Sequence, residues 1–249
     1  MEYHILASGS KGNSTFIYVN GVGFLIDCGI TRKQLLYKLG TIGFEEGDID
    51  FVFLTHEHYD HSKNIRIFSQ SKIYTGVGTM ADLPCDNYLQ PYLDYDFGGV
   101  SVTPLAISHD VKNPLAFIFK YGGKSLLYMT DTGYVSQKNQ SYLHNLTYYI
   151  IESNHDVETL MQTKRPLFLK RRIYEDLGHL NNEYSANLMA QVVGDNTREI
   201  VLAHLSHEAN TEDLALCAFK DTFARYGLSF TNFKCASQID IVSGGENER

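Results

Sequence analysis

No run of about 18 apolar residues occurs in the chain, which argues against a membrane-spanning helix. The basic-then-apolar order of a secretory leader is missing as well. Cysteine is scarce: Cys28, Cys85, Cys217 and Cys235 are widely separated and form no CxxC pair. That spacing argues against a disulfide framework or a zinc ribbon and for reduced, mostly packed thiols. Together these absences point to a cytoplasmic protein. No Pro/Ser/Gly-rich linker and no internal repeat interrupts the 249 residues, so the expectation is one domain spanning 1–249 with a substantial core. Positive charge is also short. With 21 Lys+Arg against 29 Asp+Glu the formal net charge is −8, which speaks against a generic electrostatic binder of nucleic acid but leaves room for a local basic patch.

What is present is concentrated in one stretch. Phe51-Val52-Phe53-Leu54 is a fully apolar run, followed at once by Thr55-His56-Glu57-His58-Tyr59-Asp60-His61. Three imidazoles and a carboxylate this close are costly to bury unless each polar group finds a partner, and metal ions supply one. If 51–54 is a buried strand and the chain turns after it, His56 and His58 can point to one side while Asp60 and His61 turn to the other. One segment then serves two metals. Imidazole with carboxylate oxygen suits divalent Zn or Mn, and two ions about 3.5–4 Å apart activate water against a phosphoryl or carbonyl centre.

HxHxDH after an apolar strand resembles the signature of the metallo-β-lactamase fold. The resemblance implies an α/β protein, a four-layer αββα sandwich with a metal site at the edge between two sheets. Leu25-Ile26-Asp27-Cys28-Gly29 matches that family's first motif, in which the Asp has a structural role. Ser8-Gly9-Ser10-Lys11-Gly12-Asn13-Ser14 lacks the GxxxxGK[ST] order of a P-loop. It resembles instead a hallmark of the WalJ/YycJ-type branch, where it lies beside the metal centre.

Along the chain, Glu2 to Ala7, Ser14 to Val19 and Val22 to Ile26 read as strands, with Asn20-Gly21 as a hairpin turn. Thr31 caps a helix through Leu39, ended by Gly40, with Leu35, Leu36 and Leu39 on one face. Asn64 stands where the family usually has Gly, a mild departure because Asn tolerates a left-handed backbone. Residues 81–99 lack periodicity and read as a long loop able to rim the site. Strands are expected at Val100 to Ile107, Leu115 to Tyr121, Ser125 to Met129, Leu146 to Ile151 and Glu199 to Ala203, with Gln238 to Val242 closing a sheet edge. Helices are expected over Glu183 to Val192, capped by Asn181 or Asn182, and from Thr211 to about Tyr226.

In register with the family, His109 completes the ligands of a first metal with His56 and His58. The resemblance likewise implies that Asp60, His61 and His204 hold a second and that Asp131 bridges the two. The pair Gly178-His179 and His204-Leu205-Ser206 resembles the C-terminal half of the tRNase Z endonucleases, where the first His donates a proton and Glu152's counterpart orients it. Leu169-Lys170-Arg171-Arg172-Ile173 before Gly178-His179-Leu180-Asn181-Asn182 again resembles the WalJ/YycJ-type branch, departing at Asn181 where that branch has Ser. These likenesses imply a dinuclear hydrolase using a metal-activated hydroxide on phosphodiesters of nucleic acid, DNA favoured, as a 5′-3′ exodeoxyribonuclease. Asp60, Glu152 and His179 carry catalysis, and Lys170, Arg171 and Arg172 form the nucleic-acid-binding run, with no membrane partner. Two other readings stay open: a glyoxalase II-type thioester hydrolase, which keeps the same seven ligands, and a non-catalytic metal-binding module.

Overall fold

The computed structural model describes residues 1–80 and 87–247. Its strands are β1 Glu2–Ala7, β2 Ser14–Val19, β3 Val22–Ile26, β4 Phe51–Leu54, β5 Ile73–Gly76, β6 Asn87–Leu89, β7 Tyr95–Phe97, β8 Val100–Ala106, β9 Leu115–Tyr121, β10 Lys124–Met129, β11 Tyr148–Glu152, β12 Glu199–Ala203, β13 Phe233–Cys235 and β14 Val242–Gly245. The helices are α1 Arg32–Thr41, α2 Tyr59–Ser62, α3 Gln137–Leu143, α4 Val157–Gln162, α5 Leu167–Tyr174, α6 Asn182–Val192 and α7 Glu212–Arg225. Two seven-stranded mixed sheets result, ordered β14-β1-β2-β3-β4-β5-β6 and β13-β12-β11-β10-β9-β8-β7. This is the expected α/β class.

The chain divides into two compact units, Met1–Ala106 with Val111–Lys124 and Ser237–Arg249, and Ile107–Asp110 with Ser125–Ala236. Strand alternation builds the first unit's core. Phe24, Phe51, Phe53 and Tyr74 project from β3, β4 and β5 and meet Phe97, Phe117 and Phe119 of β7 and β9, with ring centroids 4.9–6.4 Å apart in mostly edge-on pairs. The intervening residues Leu25, Val52 and Leu54 turn the other way, into a cluster with Leu35 and Leu39 of α1. Helix, sheet and sheet are therefore three successive layers within this unit. Burial on both faces explains why β4 reads as an uninterrupted apolar run.

In the second unit β10, β11, β12 and β13 run parallel. Helix α7 lays Phe219 and Phe223 on Phe233 of β13. Parallel register matters for chemistry: Met129 pairs with Ile151 and Glu152 with Ala203, so β10, β11 and β12 end at nearly the same level.

Several expectations need amending. Leu36 on α1 is exposed, and Lys38 is the buried neighbour, its ammonium held by the carbonyls of Leu6 and Ile239. Asn64 has φ −118°, so it makes no use of the left-handed region; its side-chain amide donates to the Ile30 carbonyl instead. Within the expected loop 81–99, residues 87–97 include β6, parallel to β5, and β7, antiparallel to β8. Strands of three residues are too short to show a period. Residues 81–86, Cys85 among them, lie outside the described residues. The C-terminal edge strand is β14, antiparallel to β1 and shifted toward the C-terminus from the expected 238–242.

Candidate functional site

In the first unit the parallel pairing of Ile26 with Phe53 places Asp27 beside the end of β4. Asp27 has a left-handed backbone, φ +60°, uncommon outside glycine, which turns its carboxylate toward Thr55 and His61. The Thr55 amide and hydroxyl donate to Asp27 at 2.8–3.0 Å, and His61 Nδ1 donates to Oδ2 at 2.7 Å. Burial raises the Asp27 carboxyl above its ordinary range, and His61 and Thr55 oppose that rise. Because the Thr55 hydroxyl gives its proton to Asp27, it accepts from His56 Nδ1 at 3.0 Å. His56 Nε2 then faces His58 Nδ1 at 3.1 Å, and the His61 ring lies 4.1 Å from that of His56. One turn of α2 carries the chain back, His61 N–H donating to His58 O at 2.9 Å. The motif therefore closes into one cluster of rings.

Asn13 of the 8–14 loop joins it. Its amide donates to His61 Nε2 at 2.9 Å and to Asp60 Oδ2 at 3.3 Å, and its Oδ1 accepts from Gly9 N–H at 2.7 Å. Gly29 faces this loop so closely that a Cβ there would sit 1.6 Å from Asp60 O. Only glycine fits. The branch resemblance pointed to this loop, but the sequence alone did not single out Asn13.

The second unit gathers the remaining residues at the carboxyl ends of its parallel strands, where open α/β sheets bind ligands. Asp131 follows β10, Glu152 ends β11 and His204 follows β12. Asp131 and His204 are also left-handed, at φ +57° and +56°, each re-aiming a side chain as its strand ends. Asp131 Oδ1 lies 3.9 Å from His109 Nε2, 3.7 Å from His179 Nδ1 and 3.5 Å from His204 Nδ1. Glu152, fully buried, receives four donors. Oε1 accepts from His179 Nδ1 (2.9 Å) and His204 Nδ1 (2.8 Å), and Oε2 from the amides of Thr132 (3.0 Å) and Leu180 (3.1 Å). Burial pushes this carboxyl upward, but the charge and hydrogen bond of His179 and the bond from His204 outweigh it and hold it at about 2. It is a carboxylate throughout the working range.

These contacts test whether the residues suit metal ions. His56, His61, His109 and His204 each spend Nδ1 on a partner, respectively Thr55, Asp27, the Gly178 carbonyl at 3.3 Å, and Glu152. Each thereby keeps Nε2 as its acceptor nitrogen, the arrangement found where imidazole ligates metal; on His61 the Asn13 amide occupies that acceptor and an ion would displace it. Asp131, Glu152, His179 and His204 offer ligand atoms within 4.8 Å of one another. The donor set fits divalent cations.

Beneath Glu152 lies a buried amide network that motif reading missed. Ser153 Oγ donates to Asn182 Oδ1, Asn182 and Asn210 exchange side-chain bonds at 2.9 Å, and Asn210 also donates to the carbonyls of Ser153 and Asn154. Asn154 in turn donates to the His204 carbonyl at 2.8 Å. Asn181, not Asn182, caps α6. His155 is buried against Tyr174, and His207 is exposed. The basic run supplies three of the eight residues of α5, a helix that its charges obscure in the sequence. Arg172 pairs with Asp110 at 2.6 Å, the Lys170 ammonium caps the Met161 carbonyl, and Arg171 is exposed.

The family described as the beta-lactamase superfamily domain matches residues 23–205. The exodeoxyribonuclease WalJ of Streptococcus pneumoniae is 35% identical over 228 residues, 86% of this chain and 85% of that protein. The exodeoxyribonuclease YycJ of Bacillus anthracis is 33% identical over 229 residues, 86% of each chain. Among solved structures, the metallo-beta-lactamase fold protein YhfI of Bacillus subtilis superposes with a TM-score of 0.73 over 98% of this chain and 99% of its own, at 17% identity. That last likeness speaks for the fold. The chain belongs to the beta-lactamase superfamily domain family and, within it, to the branch that holds the exodeoxyribonucleases WalJ and YycJ.

Proposed function

We propose that this protein is a metal-dependent exodeoxyribonuclease, acting as one domain over 1–249, that degrades DNA 5′ to 3′ in the cytoplasm. His56, His58 and His109 are assigned to one divalent ion and Asp60, His61 and His204 to a second, with Asp131 as the bridge and Zn or Mn as the metal. Motif order supports this ligand set, and the third of residues shared with WalJ and YycJ over most of the chain supports the substrate. No helix among the described residues is long and apolar enough to cross a membrane.

Bound divalent ions supply a nucleophile from water at neutral pH and neutralise charge developing at phosphorus. The chain's own contribution is at His179. Glu152 keeps a proton on Nδ1, so the proton that leaves comes from Nε2, where it meets the departing oxygen of the cleaved phosphodiester. Asn13 donates to Asp60 Oδ2, which fixes the carboxylate's direction.

The observation that carries the choice is the convergence of His179 and His204 on one oxygen of Glu152. A thiolate leaves a thioester without help, so a dedicated proton donor suits a phosphodiester and counts against the glyoxalase II-type reading. His179→Ala is therefore expected to keep its metal content and lose about 10²–10⁴ in kcat on DNA. A p-nitrophenyl phosphodiester, whose leaving group needs little protonation, is expected to lose far less. Equal losses on both would remove His179 from this role, and loss of metal would make it a ligand.

The basic run gives a second test. Lys170→Ala with Arg171→Ala is expected to raise KM for a polynucleotide and flatten the salt dependence of binding by about one to two units of log K per log salt. An unchanged slope would return the run to a solvated helix face.

A further inference from the structure

Helix α5 breaks the rule that the face away from the core is polar. Leu169 and Ile173 point inward, packed with Leu160 and Ala209. The opposite side carries Leu167 and Phe168, 63% and 74% exposed, and ends in Tyr174, 50% exposed, with Leu177 at 55% just beyond. Phe168, Tyr174 and Leu177 line a groove of about 600 Å³ together with Arg172, Glu175 and Asp176. An exposed aromatic cluster of this kind marks a binding surface more often than chance. The groove is also tied to the catalytic residues. Its wall runs directly into Gly178-His179, with His179 N–H on Ile173 O at 2.9 Å and Ser108 Oγ on Asp176 O at 2.7 Å. A Cβ on Gly178 would lie 2.2 Å from Arg172 O, and one on Gly133 2.2 Å from Asp176 O, so two glycines let this wall lie close against its neighbours.

We infer that this groove is a stacking subsite for an unpaired nucleobase of the substrate strand. The inference rests on the nuclease reading above and adds to it the form of the substrate. Arg172 is held flat by two bonds to Asp110 Oδ2 (2.6 and 2.7 Å), yet 59% of its side chain is exposed. It thus offers a preorganised guanidinium face beside the two rings, the surfaces on which unpaired bases stack. Charge decides between base and phosphate. Asp110, Glu175 and Asp176 against Arg172 leave the groove net negative, which repels a phosphate but not an uncharged ring. Phosphates of the same strand fall instead to Lys170 and Arg171 on the helix. A base still paired in a duplex cannot enter, so the site selects single-stranded ends.

The test compares Kd for two phosphorothioate-linked strands, one of thymidine and one abasic throughout, on wild type, on Phe168→Ala/Tyr174→Ala, and on Phe168→Ala alone. Wild type is expected to bind the thymidine strand about five- to a hundredfold more tightly than the abasic one, the range of base–aromatic stacking. The double variant is expected to lose most of that ratio, and Phe168→Trp, measured beside the other three proteins, to keep it. Phe168→Ala, at a largely exposed position, guards against a folding artefact and is expected to lose part of the ratio. A wild-type protein that cleaves DNA but shows no preference for bases overturns the subsite alone, as does a double variant with the wild-type ratio. A double variant that changes self-association while keeping the ratio overturns it too, assigning the face to a second copy of the chain. Failure of wild type to bind either strand overturns the subsite, and failure also to cleave single- or double-stranded DNA overturns the nuclease reading with it.

Discussion

Replacing Asp131 is expected to cost at least one equivalent of bound metal and all but about a thousandth of DNA cleavage. The carboxylate is nearly fully buried, with Oδ1 3.5–3.9 Å from nitrogens of His109, His179 and His204. Removing it leaves three imidazoles around a gap, and two dications assigned to one cluster would lose the anion that screens their repulsion. Asp131→Ala carries a second effect that must be separated. The position has φ +57°, where Ala costs roughly 1–2 kcal/mol that Asp largely avoids. Asp131→Asn removes the charge while keeping a residue that accepts this backbone, so it isolates the electrostatic part. Elemental analysis after gel filtration, beside turnover on end-labelled DNA, reads both quantities. If Asn and Ala variants retain the wild-type metal complement, Asp131 is no bridge.

The parts of this molecule legible in sequence were those with a local cause. β1, β2, β3 and β12 have their expected limits because two-residue alternation or full burial shows in five or six residues. Thr31 and Thr211 cap their helices because a hydroxyl satisfying an amide three residues on is a short-range event. The clustering of His56, His58 and His61 was readable because their spacing lies within one short motif. What escaped reading depends on contacts distant in sequence. Asn13 reaches Asp60 and His61 from nearly fifty residues away, and Glu152 joins groups between 20 and 52 residues distant. Helix α5 stayed hidden for another reason: it is only eight residues long, and its outward face mixes cations with aromatics. The left-handed turns at Asp27, Asp131 and His204 leave no sequence trace, since nothing in an Asp or His announces its φ.

Glu152→Gln, although nearly isosteric, is expected to lower stability and abolish activity together. The carboxylate has only acceptors, and four donors converge on it: two imidazole Nδ1 groups on one oxygen, two backbone amides on the other. A glutamine must aim its NH2 at one pair. Facing Thr132 and Leu180, it sets donor against donor in a buried place and unseats the turn that leads into the Asn181 cap of α6. Facing the histidines, it removes the partner that holds both rings with Nε2 presented. Either orientation strands two donors, at about 1–3 kcal/mol each. The total, roughly 2–6 kcal/mol, is a large share of the about 5–15 kcal/mol by which domains are stable. The melting temperature of the metal-free protein is thus expected to fall by on the order of 10 °C. In holoprotein that folds, DNA turnover is expected to drop more than in His179→Ala, because His204 is misaligned as well. That ordering separates a shared support from a partner of one histidine. A Gln variant with wild-type melting and a rate loss equal to that of His179→Ala would reduce Glu152 to an orienter of His179 alone.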